Sequence, residues 1–87
     1  MDDNRVFRAL ADPTRRQIIA FLAEGESPMG EIASQFNSSL SAVSQHLKTL
    51  REAGLVTVRR DAQRRIYAIN RGALLEAADW LARMSGG

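Results

Sequence analysis

At Gly54 the hydrophobic pattern changes period, and this change constrains the fold more than any other feature of the chain. Before it, from Ser39 to Ala53, the apolar residues Val43, Leu47 and Leu50 recur at the spacing of one helix face. After it, Leu55-Val56-Thr57-Val58-Arg59-Arg60 and Arg64-Arg65-Ile66-Tyr67-Ala68-Ile69 are rich in β-branched and aromatic residues and follow strand periodicity. The polar stretch Asp61-Ala62-Gln63 separates the two runs, which predicts a β-hairpin over residues 55–70. Its tip has no glycine, so the turn type is left open.

Upstream of Ser39 the helix signals are local and repeated. Val6, Phe7, Leu10 and Ala11 suggest a first helix over about residues 3–11. Asp12-Pro13 reads as an N-cap followed by proline at the first helical position, where its missing N–H costs nothing. The second helix carries Ile18, Ile19 and Leu22 and stops near Gly25. Ser27-Pro28 repeats the cap-and-proline signature and opens a third helix with Ile32, Ala33 and Phe36 on its apolar face. Asn37-Ser38-Ser39 is a turn, with Ser39 as N-cap of the fourth helix. Residues 28–53 therefore form a helix-turn-helix, and a last helix over about 72–84 carries Leu74, Leu75, Ala78 and Leu81, with Trp80 nearby. The predicted fold is mainly α with a β-hairpin, in the order α-α-α-α-β-β-α: a winged helix-turn-helix.

Eighty-seven residues make one domain, and no repeat, low-complexity tract or linker divides it. A chain of this size buries only about 60% of its unfolded surface, so pairing with a second copy is a natural source of further burial. The absence of cysteine removes disulfides, thiolate metal sites and thiol switches. Met1-Asp2-Asp3-Asn4-Arg5 is acidic and has no apolar leader segment, and the longest apolar run, Ile18 to Ala23, is far too short to span a bilayer. A cytoplasmic protein without membrane contact is expected.

Charge is unevenly distributed. Between Lys48 and Arg71 lie seven basic residues (Lys48, Arg51, Arg59, Arg60, Arg64, Arg65, Arg71) against Glu52 and Asp61, a net +5 in a chain whose total is +2. Basic charge gathered on one stretch is the footprint of a polyanion binder. On the fourth helix Ser41, Ser44, Gln45 and Lys48 fall at i, i+3, i+4 and i+7, a second stripe that is polar and free of acids. The major groove of B-DNA admits one helix, and such a stripe hydrogen-bonds base edges without repelling phosphate. Gln45 suits adenine, the serines serve several bases, and Lys48 suits phosphate or guanine. The hairpin arginines suit backbone phosphate or a narrow minor groove. The DNA-binding set is therefore Ser39, Ser41, Ser44, Gln45, His46, Lys48, Thr49, Arg59, Arg64 and Arg65. Ser39 doubles as a cap. His46, the one histidine, has no cysteine or second histidine to form a metal site with, and takes a structural or phosphate-contacting role. Arg15 and Arg16 are left between phosphate binding and a salt bridge.

Three segments resemble the ArsR/SmtB family of bacterial winged-helix repressors. Ala9-Leu10-Ala11-Asp12-Pro13-Thr14-Arg15 is similar to its opening motif. The run from Ser41 to Val56 is similar to its recognition helix and the turn into the wing. Arg64-Arg65-Ile66-Tyr67-Ala68-Ile69 is similar to its returning strand. The resemblance implies a homodimer paired through its first and last helices, with Val6, Phe7, Leu10, Leu74, Ala78, Trp80 and Leu81 at the interface. It further implies a palindromic operator and repression relieved by an effector. The chain departs from the family's metal sensors. Pro28 and Gly30 stand where those carry Cys-x-Cys, and the last helix offers Glu76 and Asp79 but no histidine. No metal and no cofactor are therefore expected. A small organic effector, a partner protein and simple autoregulation stay open as triggers. The alternative function is a winged-helix protein-interaction module without DNA binding, against which the basic excess and the acid-free stripe argue. Catalysis finds no support, because the chain has no Ser-His-Asp set, phosphate loop or cofactor motif.

Overall fold

The computed structural model describes residues 3–86. Met1, Asp2 and Gly87, which the single-domain and leader readings included, lie outside the described residues. The elements run α1 (Asp3–Leu10), α2 (Pro13–Ala23), β1 (Ser27–Pro28), α3 (Met29–Gln35), α4 (Leu40–Glu52), β2 (Val56–Asp61), β3 (Arg64–Ile69) and α5 (Arg71–Met84). The expected order is present with one addition, the short strand β1. It pairs antiparallel with β3, Ser27 opposite Tyr67 and Pro28 opposite Ile66, so the hairpin becomes a three-stranded sheet in the order β1-β3-β2.

That strand corrects the reading of Ser27-Pro28. Ser27 is buried in the ladder and does not cap α3, whose N-cap is Pro28 without a side-chain hydrogen bond. The Ser27 hydroxyl lies within hydrogen-bonding reach of Glu31 Oε2 (3.4 Å) and its neighbour's carbonyl (3.3 Å). The other caps are local and follow the sequence. Asp12 accepts from the Arg15 N–H at 3.0 Å, and Ser39 accepts from the Ala42 N–H at 3.1 Å. Asn70, not anticipated as a cap, accepts from the Ala73 N–H and so starts α5 at Arg71. Its amide also donates to the Gly54 carbonyl at 3.0 Å and its N–H to the Leu55 carbonyl at 2.8 Å, fastening α5 to the end of α4.

The helix-turn-helix is framed by two matching helix ends. At the end of α3, Asn37 takes φ 51°, with Ser38 N–H bonded to Ala33 O and Asn37 N–H to Ser34 O. At the end of α4, Gly54 takes φ 80°, with Leu55 N–H bonded to Leu50 O and Gly54 N–H to Arg51 O. Each is a Schellman motif, in which a left-handed residue lets the chain reverse and satisfy the last carbonyls. The apolar contact that accompanies the motif is present at the second, where Leu50 and Leu55 are both fully buried.

One core joins all five helices and the sheet: Val6 and Ala9 from α1, Ile18 and Leu22 from α2, Ile32 and Ala33 from α3, Val43, Leu47 and Leu50 from α4, Val56 and Tyr67 from the sheet, and Ala77 from α5. Val6 is completely enclosed in it. This corrects its assignment to a dimer interface, because its side chain presents no surface to a second chain. Along α5 the inward residue is Ala77, flanked by half-buried Ala73, Leu74 and Trp80. The rings of Trp80 and Phe7 meet at a centroid distance of 5.3 Å, which ties α5 to α1. Leu75, Ala78, Leu81 and Met84 are exposed.

Candidate nucleic-acid interface

The buried stripe of α4 fixes which way its polar stripe faces. Residues at 100° steps place Ser41, Ser44, Gln45 and Lys48 on the flank away from Val43, Leu47 and Leu50. Ser41, Gln45 and Lys48 are exposed and Ser44 is half-buried. The first turn of the helix is presented with its N-cap, Ser39, also exposed. Thr49 is half-buried and donates its hydroxyl proton to the Gln45 carbonyl at 3.1 Å, so it faces outward only as an acceptor.

His46 lies off this stripe. It is half-buried, with Nδ1 at 3.5 Å from Nη1 of Arg15. Arg15 is itself committed, donating from Nε to the Ala9 carbonyl at 2.7 Å and from Nη2 to the Arg8 carbonyl at 3.0 Å. Arg16 donates to the Leu10 carbonyl at 2.8 Å. Both arginines thus satisfy the last carbonyls of α1, where a helix end carries partial negative charge. Of the two roles left open for them, phosphate binding and a salt bridge, neither is what these contacts describe. His46 packs beside this cap and positions α4 against the α1–α2 corner.

The four wing arginines separate by strand register. Arg60 stands directly opposite Arg65, and Arg59 opposite Ile66. Directly opposed residues share a sheet face, and like charges placed so destabilise an isolated hairpin. Among the described residues neither Arg60 nor Arg65 has an ion-pair partner, and Arg65 is exposed. Arg59, by contrast, bonds Glu26 in the α2–β1 connection at 2.5 Å, and that carboxylate holds its guanidinium protonated beyond the ordinary value. Arg64 is 3.7 Å from Asp61. The predicted loop 61–63 shortens to Ala62-Gln63, because Asp61 and Arg64 complete the ladder.

Between α4 and the wing runs an open groove of about 830 Å³. Leu40, Ser41 and Ser44 line one side, Gln63, Arg64 and Arg65 the other, with Pro28 to Glu31 at the start of α3 closing an end. The structure thereby brings together the predicted residues Ser41, Ser44, Arg64 and Arg65. It leaves His46 and Arg59 engaged elsewhere. One groove residue is absent from the predicted set, Leu40, an exposed leucine at the first position of α4. Arg60, also outside that set, does not line the groove but stands across the ladder from Arg65.

A helical core with a helix-turn-helix, a polar outward face on its second helix and a basic β-wing defines the winged helix-turn-helix class. Residues 12–58 match the model of the bacterial regulatory protein, arsR family. The chain belongs to the ArsR family, whose members regulate transcription and are not enzymes. It is 37% identical over 78 residues to the transcriptional repressor SdpR of Bacillus subtilis, covering 90% of this chain and 87% of that one. It is 46% identical over 67 residues to the HTH-type transcriptional regulator Rv2034 of Mycobacterium tuberculosis, covering 77% of this chain and 63% of that one. Among solved structures, the ArsR family transcriptional regulator RHA00566 superposes with a TM-score of 0.87 at 30% identity, covering 95% of this chain and 91% of that one. The homodimeric winged helix-turn-helix DNA-binding domain Mb0332 from Mycobacterium bovis superposes with a TM-score of 0.80 at 32% identity, covering 94% and 77%.

Proposed function

We propose that this chain is a sequence-specific DNA-binding repressor that acts as a homodimer on a palindromic operator in the bacterial cytoplasm. The observation that carries the reading is one groove with Ser41 and Ser44 of α4 on one wall and Arg64 and Arg65 of the wing on the other, Arg60 standing across the ladder from Arg65. The two supply different things. Ser41, Ser44 and Gln45 have the donors and acceptors that distinguish base pairs, and Lys48 and the wing arginines have charge for phosphate. A like-charged pair that weakens the free hairpin is relieved when polyanion lies beside it. Arg59 joins this surface only by exchanging Glu26 for phosphate, and Ser39 by offering the N-terminus of α4 to a phosphate. His46 and Thr49 act by holding α4.

The homodimer rests on the exposed apolar strip of α5 together with Phe7, Leu10, Leu74 and Trp80 at its edge, and on the homodimeric relative Mb0332. Repression follows the name carried by SdpR, and no metal is assigned, because Pro28 and Gly30 cannot ligate one. Three triggers stay open: a small organic effector between the terminal helices, a partner protein, or simple autoregulation by concentration.

Fluorescence anisotropy on the chain's own promoter tests the reading. Binding should exceed that to scrambled duplex by ~10³ or more, the lower bound for specific sites. Gln45→Ala should cost ~1–3 kcal/mol and relax preference at one position, while Arg65→Ala should weaken all sequences alike and reduce the salt slope by about 1. Equal affinity for promoter and scrambled DNA would refute the function.

A further inference from the structure

We propose that Leu40 reads the methyl group of a thymine, making it a specificity-determining residue of the α4 face; the proposal rests on the DNA-binding reading above. Four large apolar side chains are exposed among the described residues: Leu40, Leu75, Leu81 and Met84. Three lie together on α5. Leu40 stands apart from them, 59% exposed, at the first residue of α4.

Its helical phase explains the position. Leu40 precedes Val43 by three residues and Leu47 by seven, so it extends the buried stripe of α4 beyond the end of the core. It also precedes Ser44 by four, so it adjoins the polar stripe, and it lines the groove beside Ser41 and Ser44. The core does not cover it, and the first turn of α4 carries it toward whatever occupies the groove.

The opposite wall selects the occupant. Gln63, Arg64 and Arg65 face a polyanion, and the carboxylate at the groove's end, Glu31, is within reach of the Ser27 hydroxyl. An occupant that satisfies arginines on one side and a leucine on the other carries negative charge and a projecting apolar group. Duplex DNA has one such group in its major groove, the C5-methyl of thymine, and apolar side chains read it by contact. The neighbouring Ser41 and Ser44 serve the polar atoms of the same base step.

The experiment begins by selecting the preferred duplex from a random library with the full chain. Each thymine of that duplex is then replaced singly by deoxyuridine, which deletes the methyl and keeps every hydrogen-bonding atom. In each half-site one replacement should weaken wild-type binding about fourfold, the worth of one buried methyl, and leave Leu40→Ala unaffected. Leu40→Gln should shift the selected base at that position toward adenine, the natural partner of glutamine. If no replacement separates wild type from Leu40→Ala, the proposal is overturned while the DNA-binding reading stands. A library that yields no enriched sequence overturns both. Leu40→Ala leaves the buried stripe untouched, and an unchanged melting temperature confirms that binding alone has been altered.

Discussion

Ala62 holds a left-handed conformation, φ 57°, at the wing tip, where the hairpin reverses in two residues. A Cβ in that region costs roughly 1 kcal/mol or more, and glycine avoids the cost. Ala62→Gly should therefore stabilise the chain by about 1 kcal/mol, read as a higher denaturant midpoint with an unchanged slope. Gly54, at φ 80°, is the same physics with the sign reversed: Gly54→Ala should destabilise by about 1–2 kcal/mol even though its Cβ would meet open space. The two substitutions separate conformational cost from packing, because neither changes a contact in the core. The alanine at the tip was visible in the sequence as a missing glycine, and its strain follows from the two-residue reversal. The sequence could not reveal that reversal, because β2 runs one residue further, to Asp61 opposite Arg64, than residue preference indicates.

Helix ends carry the fold between residue and core, and they were the most legible part of the sequence. Asp12, Ser39 and Gly54 each act within four residues of themselves, so a local pattern suffices to place them. The cap at Asp12 has a titration consequence. The Arg15 N–H holds its carboxylate below the ordinary value; desolvation opposes this, and the Arg15 charge and, less strongly, His46 add to the lowering. A carboxyl group whose folded value is depressed stabilises the fold above its unfolded value and loses that contribution as pH falls through the folded one. Thermal melts of wild type and Asp12→Asn should therefore differ most near neutral pH and converge below about pH 4. A gap that widens on acidification would contradict the assignment. What sequence could not provide was pairing at a distance. Strand β1 exists only because β3 lies beside it, and Ser27 therefore left its expected cap for a ladder. Arg15 and Arg59 found partners that depend on where α1 and Glu26 come to rest. The polar stripe of α4 was legible because helical spacing alone puts it on one face. Leu40 was hidden because its spacing matches the core stripe and only the end of the core leaves it bare.

At the scale of the molecule, the shape and the surface point to a second copy. The described chain measures 45 × 22 × 21 Å, elongated for its mass, and α5 leaves Leu75 70% and Leu81 50% exposed. A fully buried leucine is worth about 1.5–3 kcal/mol, so covering the exposed parts of these two on both copies contributes about 4–7 kcal/mol. Removing that much raises a dissociation constant by about a thousandfold or more, enough to turn a nanomolar dimer into a monomer at micromolar protein. Leu75→Glu with Leu81→Glu is the decisive variant, because both side chains are outside the core and the monomer fold should survive. Sedimentation velocity should show the wild type as a dimer and the double variant as a monomer with an unchanged circular dichroism spectrum. The monomer should keep one recognition helix and one wing per particle, and so about half the phosphate contacts. Its log–log salt slope on operator DNA should fall to about half that of the wild type, since the slope counts the phosphates neutralised. A double variant that unfolds would place those leucines in the core. One that still dimerises would place the interface elsewhere, and the spacing of operator half-sites would then have to follow from that other face.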